Sequence, residues 1–192
     1  MTSLIETLRH LHDGIFGTLE KITQGWFFGL FARFTFAAML YVYYWNSAKT
    51  KIGEGVLGIF EISDGAYIQI VGQAFEAAGY ESSALPLQSH LMVYAGTYGE
   101  FILPVLIVLG LFSRIGSLGM IFFILVQTYV DATGHGVDLG ALFNGQPNEI
   151  IDQRIFWCVP LVYVVLKGPG LISLDTILFR WWTSRTPGTV TA

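Results

Sequence analysis

Long apolar runs dominate the pattern of this chain. They cover residues 26–47, 89–112, 115–133 and 151–166. A bilayer core of about 30 Å requires about 20 apolar residues of helix, so the first three runs are long enough to span it and the fourth is marginal by length. Backbone groups inside lipid must pair within their own segment, and the runs lack the alternation of barrel strands. The pattern predicts an all-α membrane protein built as a four-transmembrane-helix bundle.

A sparser apolar stripe precedes the first run. Its members recur at spacings of three or four, as on one face of an amphipathic helix, and they are Leu4, Leu8, Leu11, Ile15, Leu19 and Ile22. We expect this helix to lie on the inner membrane surface. A cleavable signal peptide is the competing interpretation, but no short apolar core precedes a small-residue cleavage site, so we expect no cleavage.

The connections between the runs differ in length. Only Ser113 and Arg114 separate the second and third runs, which predicts a tight antiparallel hairpin with Arg114 at its tip. The first outer loop, residues 49–88, is long and holds apolar stretches at 56–60 and 66–75. We expect this loop to fold back onto the bundle, either as packing that covers helix ends or as a lid or docking surface.

The residues after the fourth run predict a helix end, a turn and a new helix. Lys167 suits a helix C-terminus, Gly168 permits a left-handed cap, and Pro169 prevents the helix from continuing. Ser173 is placed to cap the short helix that follows. This segment is therefore a structural turn.

Three parts follow from these patterns. Residues 1–25 form the interfacial helix, residues 26–178 form the membrane domain, and residues 179–192 form a C-terminal tail. The short helix is expected to end at Trp181 and Trp182, which suit the headgroup layer, and the tail to be disordered from Pro187.

Composition and charge narrow the function classes. Hydrophobic residues make up 53% of the chain and charged residues 12%, and the mean hydropathy is +0.58. The net charge of −4 includes no run of like charges, so nucleic acid is excluded as a partner. Basic residues favour one side of the topology, with Arg9, Lys21, Arg114, Lys167, Arg180 and Arg185 against Lys49, Lys51 and Arg154. The positive-inside rule then predicts a multi-pass protein of the cell (inner) membrane with both termini in the cytoplasm.

Metal and cofactor motifs are missing from the sequence. The single cysteine, Cys158, allows neither an intrachain disulfide nor a CxxC pair, and no glycine-rich phosphate loop is present. His90 and His135 fall at the outer ends of the second and third spans and could ligate a haem or a metal, but lone histidines there are more often hydrogen-bonding groups. We predict no metal and no tightly bound cofactor, and a redox role then requires an exchangeable quinone or a partner's cofactor.

Two ionisable residues lie within spans, where a charge needs a partner or a role. Arg33 is about seven residues into the first span, and Glu100 is about twelve residues from the inner end of the second. One interpretation is a buried Arg33–Glu100 ion pair that fixes how the first two helices pack. The other makes Glu100 a proton-accepting carboxylate, with Arg33 as its electrostatic partner, beside a quinone or substrate pocket.

Aromatic and polar residues near Glu100 supply a candidate pocket wall. Tyr94 and Tyr98 precede it in the same span, and His90 is a further hydrogen-bonding group. Trp45 and Lys51, at the exit of the first span, complete the candidate quinone or substrate pocket. The alternative for the aromatic residues is an ordinary belt at the membrane interface, as for Tyr41, Tyr43, Tyr44 and Trp45.

The order of these residues resembles the DoxX family of small membrane proteins, which includes the DoxD subunit of thiosulfate:quinone oxidoreductase. The resemblance covers about residues 31–178 and rests on four elements, which are Arg33 opening the first span, WNSAKTK at 45–51, EFILPVLIVLGLFSR at 100–114 and GPGLISLD at 168–175. It marks Arg114, Gly168, Pro169, Gly170, Ser173 and Asp175 as the structural turn residues. Two features depart from the family, since Ala48 stands where glycine is common and the first outer loop is long.

The resemblance implies a membrane partner of redox proteins, since relatives are linked to quinone-dependent sulfur oxidation, oxidative-stress complexes or the maturation of metal-binding peptides. Our first hypothesis is an integral membrane subunit of a redox complex with protein partners, quinone-linked through Glu100. The alternative is a non-catalytic anchor or assembly subunit for a soluble or peptide-maturation partner. A small-solute transporter ranks last, because the sequence lacks the inverted repeat or broken-helix pair of such proteins.

Overall fold

The computed structural model describes residues 2–55, 57–142, 144–146 and 148–185, and within these the protein is all-helical apart from one isolated bridge between Ile52 and Ile62. The helices are α1 (Thr2–Thr23), α2 (Phe27–Lys49), α3 (Asp64–Ala77), α4 (Leu87–Leu109), α5 (Ser113–Gly134), α6 (Ile150–Lys167) and α7 (Leu174–Arg185). Short 3-10 helices cover Leu57–Phe60 and Ser82–Ala84. The predicted all-α class is confirmed.

Three helices, α2, α4 and α5, are long and apolar enough to cross a bilayer. The fourth predicted span coincides with α6, but this helix has only 18 residues and includes Asp152, Arg154 and Lys167. Its apolar stretch is therefore shorter than those of the other three helices, and α6 is not a clear span by length and composition. The chain is a multi-pass membrane protein with three clear spans in the part that the structure describes.

Helix α2 contains a widened π turn at Ala37–Tyr41. Four side chains spaced at intervals of four residues are all buried, namely Phe36, Leu40, Tyr44 and Ala48. In a regular helix this spacing drifts by about 40° at each step, and a π turn removes part of that drift. The π turn thus keeps one face of α2 against the core.

The core lies where α2, α4, α5 and α6 pack together. Its fully buried side chains come from all four helices, and they are Phe36, Leu40, Tyr44, Ile107, Met120, Ile124 and Leu161. A second cluster joins the first outer loop to α4 through Ala66, Tyr67, Phe75, Leu85 and Val93. The loop therefore folds back onto the bundle, while Val56, part of the apolar stretch at 56–60, lies outside the described residues.

The two ends of the bundle are named here by their buried cations. The Lys51 end is where α2 ends and α4 begins, and α3 covers it. The Arg33 end is where α4 meets α5, and α7 lies beside it. At the Arg33 end, α4 stops three residues before the predicted limit because Gly110 takes a left-handed φ of 69° and Leu111 N–H donates to the Leu106 carbonyl at 2.9 Å.

The two chain ends differ in how much of them is described. In α1, the apolar side chains of the predicted stripe are all half-exposed or more, so the helix does not bury them in the bundle. At the other end, α7 continues to Arg185, beyond the two tryptophans predicted to end it. The tail predicted from Pro187 lies outside the described residues.

Candidate functional site

A buried ion pair joins α4 to the residues just after α2. Lys51 Nζ lies 2.8 Å from Glu100 Oε2. Ser47 Oγ accepts a hydrogen bond from Lys51 Nζ at 2.7 Å and donates one to Glu100 Oε1 at 3.2 Å. Lys51 is 3% exposed and Glu100 is 5% exposed. Charges so far from water require this kind of mutual satisfaction, so the three residues form one polar unit.

The predicted pairing of Glu100 with Arg33 is wrong. Arg33 Nε donates to the Ile107 carbonyl at 3.1 Å, and Arg33 Nη2 donates to the Val108 carbonyl at 2.8 Å. Its Nη1 donates to two carbonyls of the segment after α6, at Pro169 and Ile172. Glu100 lies seven residues before Ile107 on α4, which is about 10 Å along the helix axis. Arg33 is thus a clamp on backbone carbonyls at the opposite end of the bundle.

A cavity of about 640 Å³ begins at the Lys51–Glu100 pair. Most of its wall is apolar and comes from α4 and α5, with Met92, Leu103, Phe122, Phe123, Val126 and Val130. Met92, Phe122 and Val126 are also exposed on the outer surface of the helices, so the cavity opens sideways toward lipid. Pockets that bind small-molecule ligands have volumes of about 300–1,000 Å³ and a few polar groups on apolar walls. The cavity has such a volume and such a lining.

Glycines create the room between α4 and α5. A Cβ at Gly99 would lie 3.2 Å from the Phe123 ring, and a Cβ at Gly119 would lie 3.1 Å from Leu103 Cδ2. Gly96 leaves space for Ile70, which reaches in from α3. Small residues are used in membrane helices where backbones approach closely, and here the same feature shapes a cavity wall.

A second set of polar groups borders the cavity on α2 and α5. Tyr44 O–H donates to Gln127 Oε1 at 3.1 Å, and Gln127 Nε2 donates to the Tyr43 hydroxyl oxygen at 3.0 Å. The Tyr43 hydroxyl proton has no acceptor among the described residues. One turn along α5, Asp131 lines the cavity and pairs with the buried Arg154 of α6. Polar groups therefore lie on two sides of an otherwise apolar space.

Helix α3 covers the cavity at the Lys51 end. Gln69 and Ile70 belong to the cavity wall, and His135 Nε2 donates to the Gln69 carbonyl at 2.9 Å. Gln73 Nε2 donates to the Thr133 carbonyl at 3.2 Å. The helix is kinked at Val71, where φ is −131° and ψ is 35°. The long outer loop thus contributes directly to the site.

Most of the predicted pocket residues lie elsewhere. Of Tyr98, Tyr94, His90, Trp45 and Lys51, only Lys51 lines the cavity, and Glu100 joins it. Tyr98 O–H donates to the Ile59 carbonyl at 2.8 Å, and His90 Nδ1 lies 2.8 Å from the Tyr67 hydroxyl. Trp45 packs edge-on against Phe101, and Tyr94 lies beside Tyr98. On α4, Tyr98, Tyr94 and His90 precede Glu100 by two, six and ten residues, so at about 100° per residue they lie on other faces of the helix.

Several cavity residues were missed by the sequence analysis as site residues, namely Tyr43, Ser47, Gln69, Gln127 and Asp131. A helical spacing signal was available for some of them. Ser47 and Lys51 are four residues apart, as are Gln127 and Asp131, so each pair shares a helix face. The contribution of Gln69 had no such signal, because it depends on how α3 docks.

The turn residues form a network at the Arg33 end. The Asp175 carboxylate accepts from Phe112 N–H at 2.6 Å and from Ser113 N–H at 2.9 Å, and it also accepts from the Ser113 hydroxyl. Ser173 Oγ accepts from Thr176 N–H at 3.2 Å in the first turn of α7. Gly168 and Gly170 have positive φ values of 88° and 83°. The start of α7 is thereby bonded to the α4–α5 corner.

Gly29 shows how close this packing is. A Cβ there would lie 2.4 Å from the Pro169 backbone carbon, so α2 meets the turn backbone directly. At the tip of the hairpin, Arg114 Nη2 lies 3.5 Å from the position of a Cβ at Gly168. At position 29, only glycine permits the observed contact of backbone with backbone.

The polar groups of the cavity include hydrogen-bond donors, acceptors and carboxylates. Within the part of the chain that the structure describes, no three His, Cys, Asp or Glu side chains cluster to hold a metal ion. His90 and His135, considered as haem or metal ligands, each hydrogen-bond to α3 through one ring nitrogen. The free Tyr43 proton can be donated to a carbonyl oxygen, and the Glu100 carboxylate can take up a proton.

Comparison with known protein families found a match over the helices that build the site. The family model described as DoxX matches residues 28–132, which is more than half of the chain. That stretch contains α2, α3, α4 and nearly all of α5, and with them both Lys51 and Glu100. No curated protein and no solved structure matched.

Proposed function

The chain belongs to the DoxX family, and on this premise we propose that it is an integral membrane subunit of a redox complex that binds an exchangeable quinone. The observation that carries the proposal is the buried Lys51–Glu100 pair at the edge of an apolar cavity that opens toward lipid. A quinone has a polar head with two carbonyl oxygens and an apolar tail. The cavity has polar groups at one edge and apolar walls toward the bilayer, so its chemistry fits such a molecule.

The residues of the cavity have distinct roles in this proposal. The Tyr43 hydroxyl donates to a carbonyl oxygen of the head, because Gln127 already supplies the hydrogen bond that its own oxygen accepts. Glu100 takes up or releases the proton that accompanies quinone redox chemistry, and Lys51 stabilises its charged form. Quinone reduction consumes two electrons and two protons. We assign the electrons to a protein partner of the complex, and Glu100 delivers the two protons in succession, being reprotonated from solvent between them.

We place the chain in the cell (inner) membrane with four spans, α6 being the fourth, and with both termini in the cytoplasm. Two observations support the fourth span. Helix α6 packs along both α2 and α5, and its charged residues Asp152 and Arg154 are confined to its first turns at the Lys51 end. The Lys51 end then faces outward, and α1 lies on the inner surface with its exposed apolar stripe in the headgroup region.

The experiment that tests the proposal is purification from native membranes in mild detergent, with extraction and quantification of bound quinone and mass spectrometry of co-purifying proteins. We expect bound quinone and a stoichiometric redox protein. The variant Glu100→Gln retains the size and one hydrogen-bond acceptor of the side chain but cannot carry the proton, so quinone turnover by the complex should be lost. Because the variant also leaves Lys51 without its anionic partner, turnover is measured per folded molecule. Glu81→Gln, on the exposed part of the outer loop, is the matched control.

Normal turnover in Glu100→Gln would disprove the proton role. Purified complex without quinone, in native and in quinone-supplemented membranes, would disprove quinone binding itself. A partner recovered without quinone would favour the second candidate function.

The second candidate is a non-catalytic anchor or assembly subunit for a soluble or peptide-maturation partner. The observation that favours it is an exposed apolar surface on the outer loop, where Leu57 is 73% exposed and Phe60 is 75% exposed. Exposed apolar side chains outside the spans are typical of partner contacts. The double variant Leu57→Ser/Phe60→Ser should then release the partner while leaving the cavity intact, and retained partner binding would argue against this function.

A further inference from the structure

A second cavity, separate from the first, lies at the Arg33 end between the α4–α5 corner and α7. It has a volume of about 890 Å³. We call it the corner cleft, and its principal lining residues are Phe112, Arg114, Ile115, Leu171, Phe179 and Arg180. None of these residues belongs to the first cavity.

The position of the corner cleft in the membrane follows from its helices. Both α4 and α5 are long and apolar enough to span, and only residues 110–112 connect them. A connection between two antiparallel spans must lie at a membrane surface. Asp175 N–H of α7 donates to the Gly110 carbonyl at 2.8 Å, which fixes the start of α7 at the same level. The corner cleft therefore lies where acyl chains meet headgroups.

The walls of the corner cleft are apolar and uncovered. Phe112, Ile115, Leu171 and Phe179 are each more than half exposed. These four side chains come from the corner, from α5, from the turn after α6 and from α7. Four separate segments thus present one apolar surface at the depth of the acyl chains.

The polar lining of the corner cleft is cationic. Arg114 and Arg180 are both exposed, and neither forms an ion pair with any residue in the described ranges. The acidic side chain in the lining, Asp175, has both oxygens occupied by hydrogen bonds from Phe112 and Ser113. Two arginines without acidic partners therefore face the same apolar space.

From this combination we propose that the corner cleft binds an anionic phospholipid. The phosphate lies between Arg114 and Arg180, whose planar guanidinium groups suit phosphate oxygens, and an acyl chain packs on Phe112, Ile115 and Phe179. The arginines favour an anionic phospholipid over a zwitterionic one, because the zwitterionic headgroup adds a cation that they would repel. This site does not depend on quinone binding in the first cavity.

The test is native mass spectrometry of the full chain after exchange into nanodiscs of equal parts phosphatidylglycerol and phosphatidylcholine. We expect the protein to retain phosphatidylglycerol preferentially. Each cationic side chain beside an anionic lipid contributes about fivefold in affinity, so Arg114→Gln/Arg180→Gln should reduce retained phosphatidylglycerol by about 30-fold. Addition of inorganic phosphate at millimolar concentration should not displace it, since free phosphate lacks the acyl contacts.

Arg9→Gln/Lys49→Gln is the matched control, because it removes the same charge from exposed positions outside the corner cleft. Its lipid retention should equal that of the unaltered protein. An apolar-wall variant, Ile115→Ser, should weaken retention without a change in charge. Equal retention of the two lipids, or an equal loss in the control, would overturn the proposal. All three variants alter exposed side chains, and thermal unfolding in detergent verifies that each is folded.

Discussion

The two ends of the bundle each bury a cation, and they satisfy it in different ways. At the Lys51 end, the ammonium group pairs with the Glu100 carboxylate, which is itself a titratable group beside a cavity. At the Arg33 end, the guanidinium group binds four backbone carbonyls and lies where three segments of the chain meet. A carboxylate can change its charge, whereas a carbonyl cannot. The Lys51 end thus contains a group that can exchange a proton, whereas the groups that bind Arg33 cannot change their charge and serve to pack the chain segments together.

The difference also predicts how each end responds to replacement by apolar residues. A buried ion pair can be exchanged as a unit for two apolar side chains, because both charges then disappear. Carbonyl partners cannot be removed by mutation, so loss of Arg33 takes a charged donor from all four of them, although the Ile107 carbonyl keeps the hydrogen bond from Gly110 N–H.

Lys51→Met should lower the free energy of unfolding by about 3–5 kcal/mol, because it leaves the Glu100 charge buried without its partner. The double variant Lys51→Met/Glu100→Leu should recover most of that loss. Thermal unfolding in detergent measures both effects. A double variant as unstable as the single one would show that the pair is part of the packing and cannot be replaced as a unit.

Arg33→Met should lower the free energy of unfolding by about 3 kcal/mol, since several buried carbonyls lose hydrogen bonds from a charged donor. Arg33→Lys should recover only part of this, because one ammonium group cannot reach carbonyls on both α4 and the turn after α6. Arg9→Met on exposed α1 is the control for the loss of one arginine. Quinone bound per folded molecule should be unchanged in Arg33→Lys, and a selective loss of quinone there would break the division between the two ends.

Tyr43→Phe should weaken quinone binding by about three- to tenfold, the effect of one neutral hydrogen bond, and leave thermal stability nearly unchanged. The measurement is quinone titration of the purified protein. Tyr41→Phe is a matched control on the same helix, since Tyr41 is absent from the cavity lining. Identical titration curves for Tyr43→Phe and the unaltered protein would remove Tyr43 from the proposed site.

Three of the four predicted spans, the hairpin and the folded outer loop were predictable because hydrophobicity along the chain reports them directly. The end of α4 was less predictable, since it depends on the left-handed conformation of Gly110 within an otherwise continuous apolar run. The four-residue spacing of Phe36, Leu40, Tyr44 and Ala48 was visible in the sequence, but the π turn that keeps them on one face was not. Of the candidate site, Glu100 and Lys51 were named, but Glu100 was paired with Arg33 and Lys51 was given no partner.

The sequence by itself determined that this protein is a helical membrane protein of the DoxX type, and where its long helices run, because lipid demands about 20 apolar residues per span regardless of what lies beside them. The tertiary structure alone decided that Glu100 meets Lys51, that Arg33 binds carbonyls, and that Tyr43, Gln127 and Asp131 share a cavity. The physical reason is that a helix turns by about 100° per residue, so the packing of helix faces decides which polar side chains meet.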